Sequence, residues 1–266
     1  MKYQNLHCHT TFSDGLHSLE ETVCAAIDAG MPSLGISDHS FTACDLSYCM
    51  RAEDYPRYLA ELARVKKEYA DRITVYAGLE LDSMSRMDTK DLDYVIASVH
   101  YLAVNGVCYP VDESLEEQQR CAREGFGGDW LAMASWYYKT LVNHVQRVKP
   151  TFVGHVDIIN KYSQMPLEDP AYQKMATDAL SQILETCPYI EVNTGIIARG
   201  LQKQPYPAPF LLKAAKELGA ELVLTSDSHY KDKLNFWFDE AVVLLKEFGF
   251  DHINIFNGNT FQKQSI

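Results

Sequence analysis

The sequence lacks the features that mark membrane, secreted or nucleic-acid-binding proteins. No apolar run approaches the length of a membrane-spanning helix, and the N-terminal residues lack the charged-then-apolar pattern of a signal peptide. Positive charge is scarce, because 24 Lys and Arg oppose 36 Asp and Glu, for a formal net charge of −12. Such a surface repels nucleic acid and anionic membranes. We therefore expect a cytoplasmic protein without nucleic-acid, membrane or obligate protein partners.

Cysteine spacing and length restrict the architecture. The 7 cysteines are scattered along the chain and form no C-x-x-C pair. An odd number at irregular spacing is typical of reduced thiols and not of a disulfide framework. A chain of 266 residues, 47% of them apolar, can bury one full core. We expect a single domain over residues 1–266.

Short apolar segments alternate with longer helical patterns along the chain. The predicted strands are Tyr3–Cys8, Ser33–Ser37, Ile73–Glu80, Tyr94–Val99, Phe152–His155, Tyr189–Asn193 and Glu221–Thr225. The predicted helices are Ser18–Ala29, Tyr55–Tyr69, Asp129–Val148, Pro170–Thr186 and Pro207–Leu218. This alternation is typical of a parallel sheet or barrel. In such folds the functional site lies at the carboxyl ends of the strands.

Histidines and acids are concentrated at those predicted strand ends. They are His7, His9 and Asp14 in LHCHTTFSDG, His39 in SDHS, Glu80 in GLELD, His100 in SVHY, His155 in GHVD, and Asp227 and His229 in TSDSH. Residues two apart in a strand point to the same face, so the H-x-H pair can address one metal ion. Imidazole and carboxylate together suit zinc, manganese or iron. Nine ligands are too many for one ion and suit three. Glu80 can bridge two ions about 3.5–4 Å apart and help hold a hydroxide between them.

The remaining histidines have weaker claims on the site. His144 lies inside a predicted helix and His252 follows a helical stretch, so both are expected to be structural or surface residues. His17 lies three residues beyond Asp14 in the same loop and could replace it as a ligand or touch substrate. We favour Asp14, because the S-D-G segment holds it close to the H-x-H strand.

The ordered series H-x-H-T-x-F-S-D-G, D-H, G-x-E, S-x-H, G-H-x-D and S-D-S-H resembles the PHP superfamily, named for polymerase and histidinol phosphatase. The resemblance runs from His7 to His229. It implies a single-domain, distorted (β/α)7 barrel with three divalent metal ions. It assigns His7, His9, Glu80 and Asp227 to one ion, Glu80, His100 and His155 to a second, and Asp14, His39 and His229 to the third.

The segment YIEVNTGIIARGLQKQPYPAPF resembles the histidinol-phosphate phosphatase branch of that superfamily. Matching residues are Glu191, Asn193, Arg199, Tyr206 and Pro207. Members of the branch commonly have Ser after the Thr at position 194, where this chain has Gly195. The resemblance implies hydrolysis of L-histidinol phosphate in histidine biosynthesis.

The expected reaction needs groups that hold phosphate and move a proton. Arg199 can bind phosphate oxygens bidentately, and Lys161 is a second candidate cation. Together with the metal ions they would offset the acidic surface. Among the ligands, Glu80 is expected to hold the attacking hydroxide, and Asp227 or His229 could protonate the leaving oxygen, as could a metal-bound water.

Other functions remain possible at this stage. The same site could hydrolyse a nucleotide or sugar phosphate, since one fold serves several substrates. A regulatory or proofreading module is disfavoured by the full ligand set and by the absence of a basic surface. A metal-dependent amidohydrolase also begins with H-x-H, but Asp14, the D-x-H ending and the lack of an obvious bridging lysine disfavour it.

Overall fold

The computed structural model describes residues 3–266. The strands are β1 Gln4–Asn5, β2 Ser33–Ile36, β3 Thr74–Ala77, β4 Glu80–Asp82, β5 Ile96–Ser98, β6 Tyr101–Val104, β7 Val107–Pro110, β8 Phe152–Val153, β9 Tyr189–Asn193, β10 Glu221–Thr225, β11 His252–Phe256 and β12 Phe261–Ser265. The helices are α1 Leu19–Asp28, α2 Tyr55–Glu68, α3 Leu115–Arg120, α4 Trp130–Val148, α5 Pro170–Leu184, α6 Gly195–Ala198, α7 Pro209–Glu217 and α8 Phe238–Glu247. No helix in this described range is long and apolar enough to cross a bilayer.

Two parallel sheets together form a distorted barrel. One has the order β1-β2-β3, and the other has the order β10-β9-β8-β5-β4. Single parallel bridges connect the two sheets, from Cys8 to Ser228 and from His39 to Glu80. The eight strands of these two sheets fill the seven strand positions of a (β/α)7 barrel, because β3 and β4 share one position. This is the architecture that the family resemblance implied.

One predicted strand is divided in the structure. The segment Ile73–Glu80 separates into β3, which pairs with β2, and β4, which pairs with β5. The break falls at Gly78 and Leu79, where the ring of Tyr94 packs against the backbone. A Cβ at Gly78 would lie 2.1 Å from that ring, so only glycine permits this approach. The prediction of one continuous strand was wrong, because apolar periodicity does not reveal a side chain packing across it.

Tyr94 also fills the barrel interior beneath the strand ends. Its side chain is 2% exposed, and its hydroxyl donates to the Leu6 carbonyl at 2.6 Å. Its ring packs parallel to Phe152, with the centroids 6.1 Å apart. A Cβ at Gly35 would lie 2.3 Å from the Tyr94 hydroxyl oxygen. The two glycines and the large ring are thus complementary in volume, as close packing requires.

Local sequence signals set the helix ends. The side chain of Ser18 accepts from the Glu21 amide, and the Glu21 carboxylate accepts from the Ser18 amide, which confirms the predicted capping box at α1. Gly30 and Gly219 follow α1 and α7 at φ of +69° and +75°. Left-handed backbone of this kind is accessible to glycine at no steric cost, so both helices stop there.

Several elements were not predicted from the sequence. The antiparallel hairpin β6–β7 follows β5, and helix α8 with the antiparallel pair β11–β12 forms the C-terminal part. The hairpin carries Cys108, which is disulfide-bonded to Cys44 with a Cα–Cα distance of 5.8 Å. The prediction of reduced thiols was wrong for this pair. The two residues are 64 apart in sequence, and only the folded chain brings them within disulfide range.

Candidate functional site

The carboxyl ends of the barrel strands bring the nine predicted metal-ligand residues together at one end of the barrel. His7 and His9 follow β1, His39 follows β2, Glu80 begins β4, His100 follows β5, His155 follows β8, and Asp227 and His229 follow β10. Asp14 reaches the same place from the loop between β1 and α1. All but Asp14 and His229 are buried. The site therefore has the position that parallel α/β folds favour.

Glu80 lies at the centre of this group. Its Oε1 is 3.0 Å from His155 Nε2 and 3.3 Å from His100 Nε2. Its Oε2 is 2.7 Å from His39 Nδ1 and 3.2 Å from His7 Nε2. Each carboxylate oxygen therefore faces a different set of imidazoles, which is the arrangement that a carboxylate shared by two cations needs.

A second set of donors lies around Asp14 and Asp227. Asp14 Oδ2 is 3.1 Å from His229 Nε2, and Asp14 Oδ1 is 3.7 Å from His39 Nε2. Asp227 Oδ1 is 3.0 Å from His9 Nε2. Asp227 has φ of +46°, an unusual backbone conformation for a residue with a side chain. Such left-handed residues are often found at functional sites, where the surrounding structure holds them.

The charges in the cluster compensate one another. Burial alone would raise the pKa of Glu80, but the neighbouring imidazoles of His7, His39 and His100 hold that pKa well below its usual value. Burial alone would lower the pKa of His7, but the carboxylates of Glu191, Glu80 and Asp227 hold it well above its usual value. These buried carboxylates thus require positive charge beside them, which metal ions would supply in place of protons.

The unpaired polar atoms test whether metal ions fit. His7 Nε2, His9 Nδ1, Asp14 Oδ1 and both carboxylate oxygens of Glu80 are buried and have no hydrogen-bond partner. Unpaired buried polar atoms are costly, so their concentration here is what a set of metal-binding donors would show. Four groups have donor atoms within 4.8 Å of one another: His9, Asp14, His39 and His229; His7, Glu80 and His155; His7, His9 and Asp227; and His39, Glu80 and His100. Nitrogen and oxygen donors at this spacing fit divalent zinc, manganese or iron.

Sequence reasoning did not include Glu191 in the site. This fully buried residue of β9 has Oε2 2.8 Å from His7 Nδ1 and also accepts from the Thr225 hydroxyl. Its Oε1 accepts from the His155 amide at 2.5 Å and from Asn193 Nδ2 at 2.8 Å. Glu191 therefore directs His7 Nε2 towards Glu80, as carboxylates behind metal-binding histidines do. The signal in the sequence that could have identified Glu191 was its place in the E-V-N-T segment that resembles the histidinol-phosphate phosphatase branch.

Two aspartates have comparable roles. The Asp82 carboxylate accepts from the His100 amide at 2.9 Å and lies 3.3 Å from His100 Nδ1. The Asp38 carboxylate accepts from the amides of Thr10 and Ser13 and from both hydroxyls, and so shapes the loop that carries Asp14. Both follow or occupy predicted strand ends, but residue type alone did not separate them from solvated acids.

The three predicted substrate contacts are placed differently. Arg199 lines the cavity, with Nη2 3.0 Å from His229 Nδ1 and Nη1 3.3 Å from Asp227 Oδ2. Lys161 also lines it, and its Nζ is 3.1 Å from Asp112 Oδ2. His17 is not among the residues that line this cavity in the described range, although its carbonyl accepts from the Thr11 amide. The structure thus brings two of the three predicted contacts to the site.

Gly195 makes room for the Arg199 guanidinium. A Cβ at position 195 would lie 2.8 Å from Arg199 Nη1 and 2.7 Å from the Ser226 carbonyl oxygen. Gly195 therefore packs directly on the candidate phosphate clamp, and a side chain at this position would have to displace the guanidinium or the Ser226 backbone.

The cavity above the cluster has a volume of about 310 Å³. One part of its lining consists of predicted ligands with Arg199 and Lys161. The remainder includes Asp45, Tyr48, Tyr101, Asp112 and Glu113, which come from the loop after β2, the β6–β7 hairpin and the segment after it. The volume suits a small molecule.

Comparison with known proteins gives a consistent result. The PHP domain family matches residues 5–195. A Deinococcus radiodurans protein named as a probable histidinol-phosphatase is 31% identical over 257 residues, which cover 91% of this chain and 92% of that protein. The histidinol-phosphatase of Bacillus subtilis is 25% identical over 255 residues, covering 86% of this chain and 94% of that protein.

A solved structure shares the fold. It is that of a histidinol phosphate phosphatase from Lactococcus lactis, in complex with zinc, L-histidinol and phosphate. Its TM-score is 0.70 at 22% identity, with 98% of this chain and 99% of that chain covered. The match to the family over most of the chain, and the near full-length relatives, lead to one conclusion: this protein belongs to the PHP domain family, in the branch of the histidinol-phosphatases.

Proposed function

We propose that this protein is a metal-dependent phosphoric monoester hydrolase that converts L-histidinol phosphate to L-histidinol and phosphate, as a step of histidine biosynthesis. The observation that carries the proposal is the position of Glu80, with its two oxygens facing separate sets of imidazoles beneath a cavity that Arg199 and Lys161 line. The curated relatives named as histidinol-phosphatases support the choice of substrate.

The proposed ligands are His7, His9, Asp14, His39, Glu80, His100, His155, Asp227 and His229. Divalent ions held there would neutralise a phosphate dianion and act as Lewis acids towards it. Glu80 Oε1 would serve the ion beside His100 and His155, and Oε2 would serve the ion beside His7. The protein's task is then mainly to position the phosphoryl group and stabilise its charge.

Arg199 is the proposed phosphate clamp. Its guanidinium is fixed by Asp227 and His229 at the cavity wall, and further N–H groups of the fork remain for phosphate oxygens. Lys161 contributes less free charge, because Asp112 already pairs with it. These cations explain how an acidic protein can accept an anionic substrate.

His229 joins this clamp to the ligand cluster. Its Nδ1 lies 3.0 Å from Arg199, and its Nε2 lies 3.1 Å from Asp14. His229 and Asp227 both contact Arg199 and both belong to the proposed ligand set. One of these two residues, or a water bound at the site, is the proposed source of the proton that the leaving oxygen requires.

The test is a measurement of phosphate release from a panel of monoesters with manganese or zinc supplied. The panel contains L-histidinol phosphate, nucleotides and sugar phosphates. We expect a strong preference for histidinol phosphate that is lost in Glu80→Gln, and a raised KM in Arg199→Ala. Preference for another ester would reject the substrate but keep the hydrolase, and release from no ester despite bound metal would reject the enzyme assignment.

Two broader expectations belong to the same proposal. A single functional domain over residues 1–266 is supported by the contributions of β1 and β10 to one site. A cytoplasmic location stays a prediction from composition.

A further inference from the structure

Tyr48 has an unusual environment within the cavity. Its hydroxyl oxygen is shielded from solvent and has no hydrogen-bond partner. Its ring packs edge-on against His39, with the centroids 4.9 Å apart, and stacks with Tyr101 at 5.8 Å. A buried phenol hydroxyl usually finds a partner, because leaving it unpaired is costly. The Tyr48 hydroxyl is therefore prepared for a ligand.

The loop that carries Tyr48 is held in place by the β6–β7 hairpin. The Tyr101 hydroxyl donates to the Asp45 carboxylate at 2.8 Å, and the disulfide from Cys44 to Cys108 connects the same loop to the hairpin. Asp45 Oδ1 also accepts from the Ser47 amide at 2.7 Å. Tyr48 thus lies on a restrained segment, so its position in the cavity is defined before any substrate binds.

Charge distinguishes the two ends of the cavity. Arg199 lies with Asp227 and His229, where the phosphoryl group is proposed to bind. Tyr48 packs against His39 and Tyr101, and the carboxylate of Asp45, which accepts from the Tyr101 hydroxyl, lines the cavity beside it. Acidic side chains repel a phosphate dianion and attract a cationic or nitrogen-bearing group. The end with Tyr48 is therefore suited to the organic half of an ester.

We infer that the Tyr48 hydroxyl binds a nitrogen atom of the organic half of the substrate and thereby contributes to substrate specificity. This inference rests on the proposed function, because it assumes an ester whose alcohol half carries nitrogen. A phenol can accept a hydrogen bond from an ammonium group or donate one to a neutral imidazole nitrogen.

The decisive experiment compares Tyr48→Phe with the wild type on two esters. L-Histidinol phosphate carries nitrogen in its alcohol half, whereas phenyl phosphate carries none. We expect kcat/KM for histidinol phosphate to fall by about 3- to 10-fold, as loss of one neutral hydrogen bond predicts, mainly through KM. The value for phenyl phosphate should change less than about 2-fold.

Inhibition by the separate products gives a second readout. Tyr48→Phe should weaken inhibition by L-histidinol and leave inhibition by inorganic phosphate unchanged. Tyr55→Phe is the matched control, because the Tyr55 hydroxyl donates to the Asp88 carbonyl outside the cavity. Circular dichroism and metal content should match the wild type in both variants, since the Phe ring can keep the contacts with His39 and Tyr101.

Equal losses on both esters would overturn the inference, since the hydroxyl would then act on the phosphoryl group or on the ligand cluster. Unchanged kinetics on both esters would overturn it as well. If the wild type prefers an ester other than histidinol phosphate, the proposed function fails separately. If that ester carries nitrogen in its alcohol half, the same comparison against phenyl phosphate still decides the role of Tyr48, and if it carries none, the inference fails as well.

Discussion

Replacing Glu191 with glutamine should impair metal binding without removing any proposed metal ligand. The carboxylate is fully buried and receives hydrogen bonds from Thr225, Asn193 and the His155 amide while it faces His7 Nδ1 at 2.8 Å. Glutamine has the same shape but offers one acceptor oxygen and one NH2 group. Whichever carboxylate oxygen the NH2 group replaces, this new donor faces groups that donate hydrogen bonds to Glu191 in the wild type.

The effect on His7 determines the expected magnitude. An NH2 group beside His7 Nδ1 favours the tautomer in which Nδ1 accepts and Nε2 carries the proton. That tautomer blocks Nε2, the nitrogen that lies 3.2 Å from Glu80. Loss of a carboxylate behind a metal-binding histidine typically lowers metal affinity or activity about 10- to 100-fold, equivalent to about 1.4–2.7 kcal/mol.

The assay is a titration of the metal-depleted protein with zinc or manganese, followed by measurement of phosphate release. Glu221→Gln is the matched control, because the Glu221 carboxylate also lies near a histidine, His252 Nε2, at 2.7 Å, but at the opposite end of β10. The control should lose some stability and keep its metal affinity. Wild-type metal affinity in Glu191→Gln would refute the reasoning.

Three further predictions follow from single contacts. The first concerns His144, which is 2% exposed with Nε2 2.7 Å from the Leu81 carbonyl oxygen, and burial lowers its pKa to about 4. Because the unfolded chain then binds a proton that the folded protein does not, stability should fall as the pH drops from about 6.5 to 4, by up to about 1.4 kcal/mol per pH unit. Denaturant midpoints at pH 7 and pH 5 should therefore differ less in His144→Gln than in the wild type, and an identical pH dependence would contradict this. The second is that Gly195→Ala should displace the Arg199 guanidinium and raise KM with little change in metal content, since the added Cβ lies 2.8 Å from Nη1. An unchanged KM would show that the guanidinium moves without cost. The third is that Tyr94→Ala should destabilise the fold by about 3–5 kcal/mol, as large-to-small changes of buried aromatic residues do. Tyr94→Phe, which removes only the hydrogen bond to Leu6, should cost about 0.5–3 kcal/mol in the same denaturation assay, and equal losses would contradict the packing argument.

Much of the barrel and its chemistry could be predicted because the signals are local. Strands β9 and β10 were predicted with the bounds they have, and the Ser18 capping box sets the start of α1. In a parallel barrel, strand ends meet at one edge. Reactive residues at successive strand ends, such as His7 and His155, are therefore expected to converge even without a structure.

Tertiary structure alone decided the features that depend on residues distant in sequence. Cys44 and Cys108 pair, and Ile73–Glu80 breaks into two strands because Tyr94 packs at Gly78. A single Asp or Glu in the sequence also does not show whether its carboxylate will hold a metal-binding side chain in place or face the solvent.

The substrate end of the site shows the same division. His17 and Arg199 were both candidate substrate contacts from the sequence, yet of these two only Arg199 lines the cavity. The loop sequence could not show that the Tyr48 hydroxyl is buried and unpaired, because both properties depend on the residues that surround it in the folded protein. The sequence by itself determined which metal chemistry the strand ends can support. The three-dimensional packing decided which side chains hold those ligands in place and which ones remain to meet the substrate.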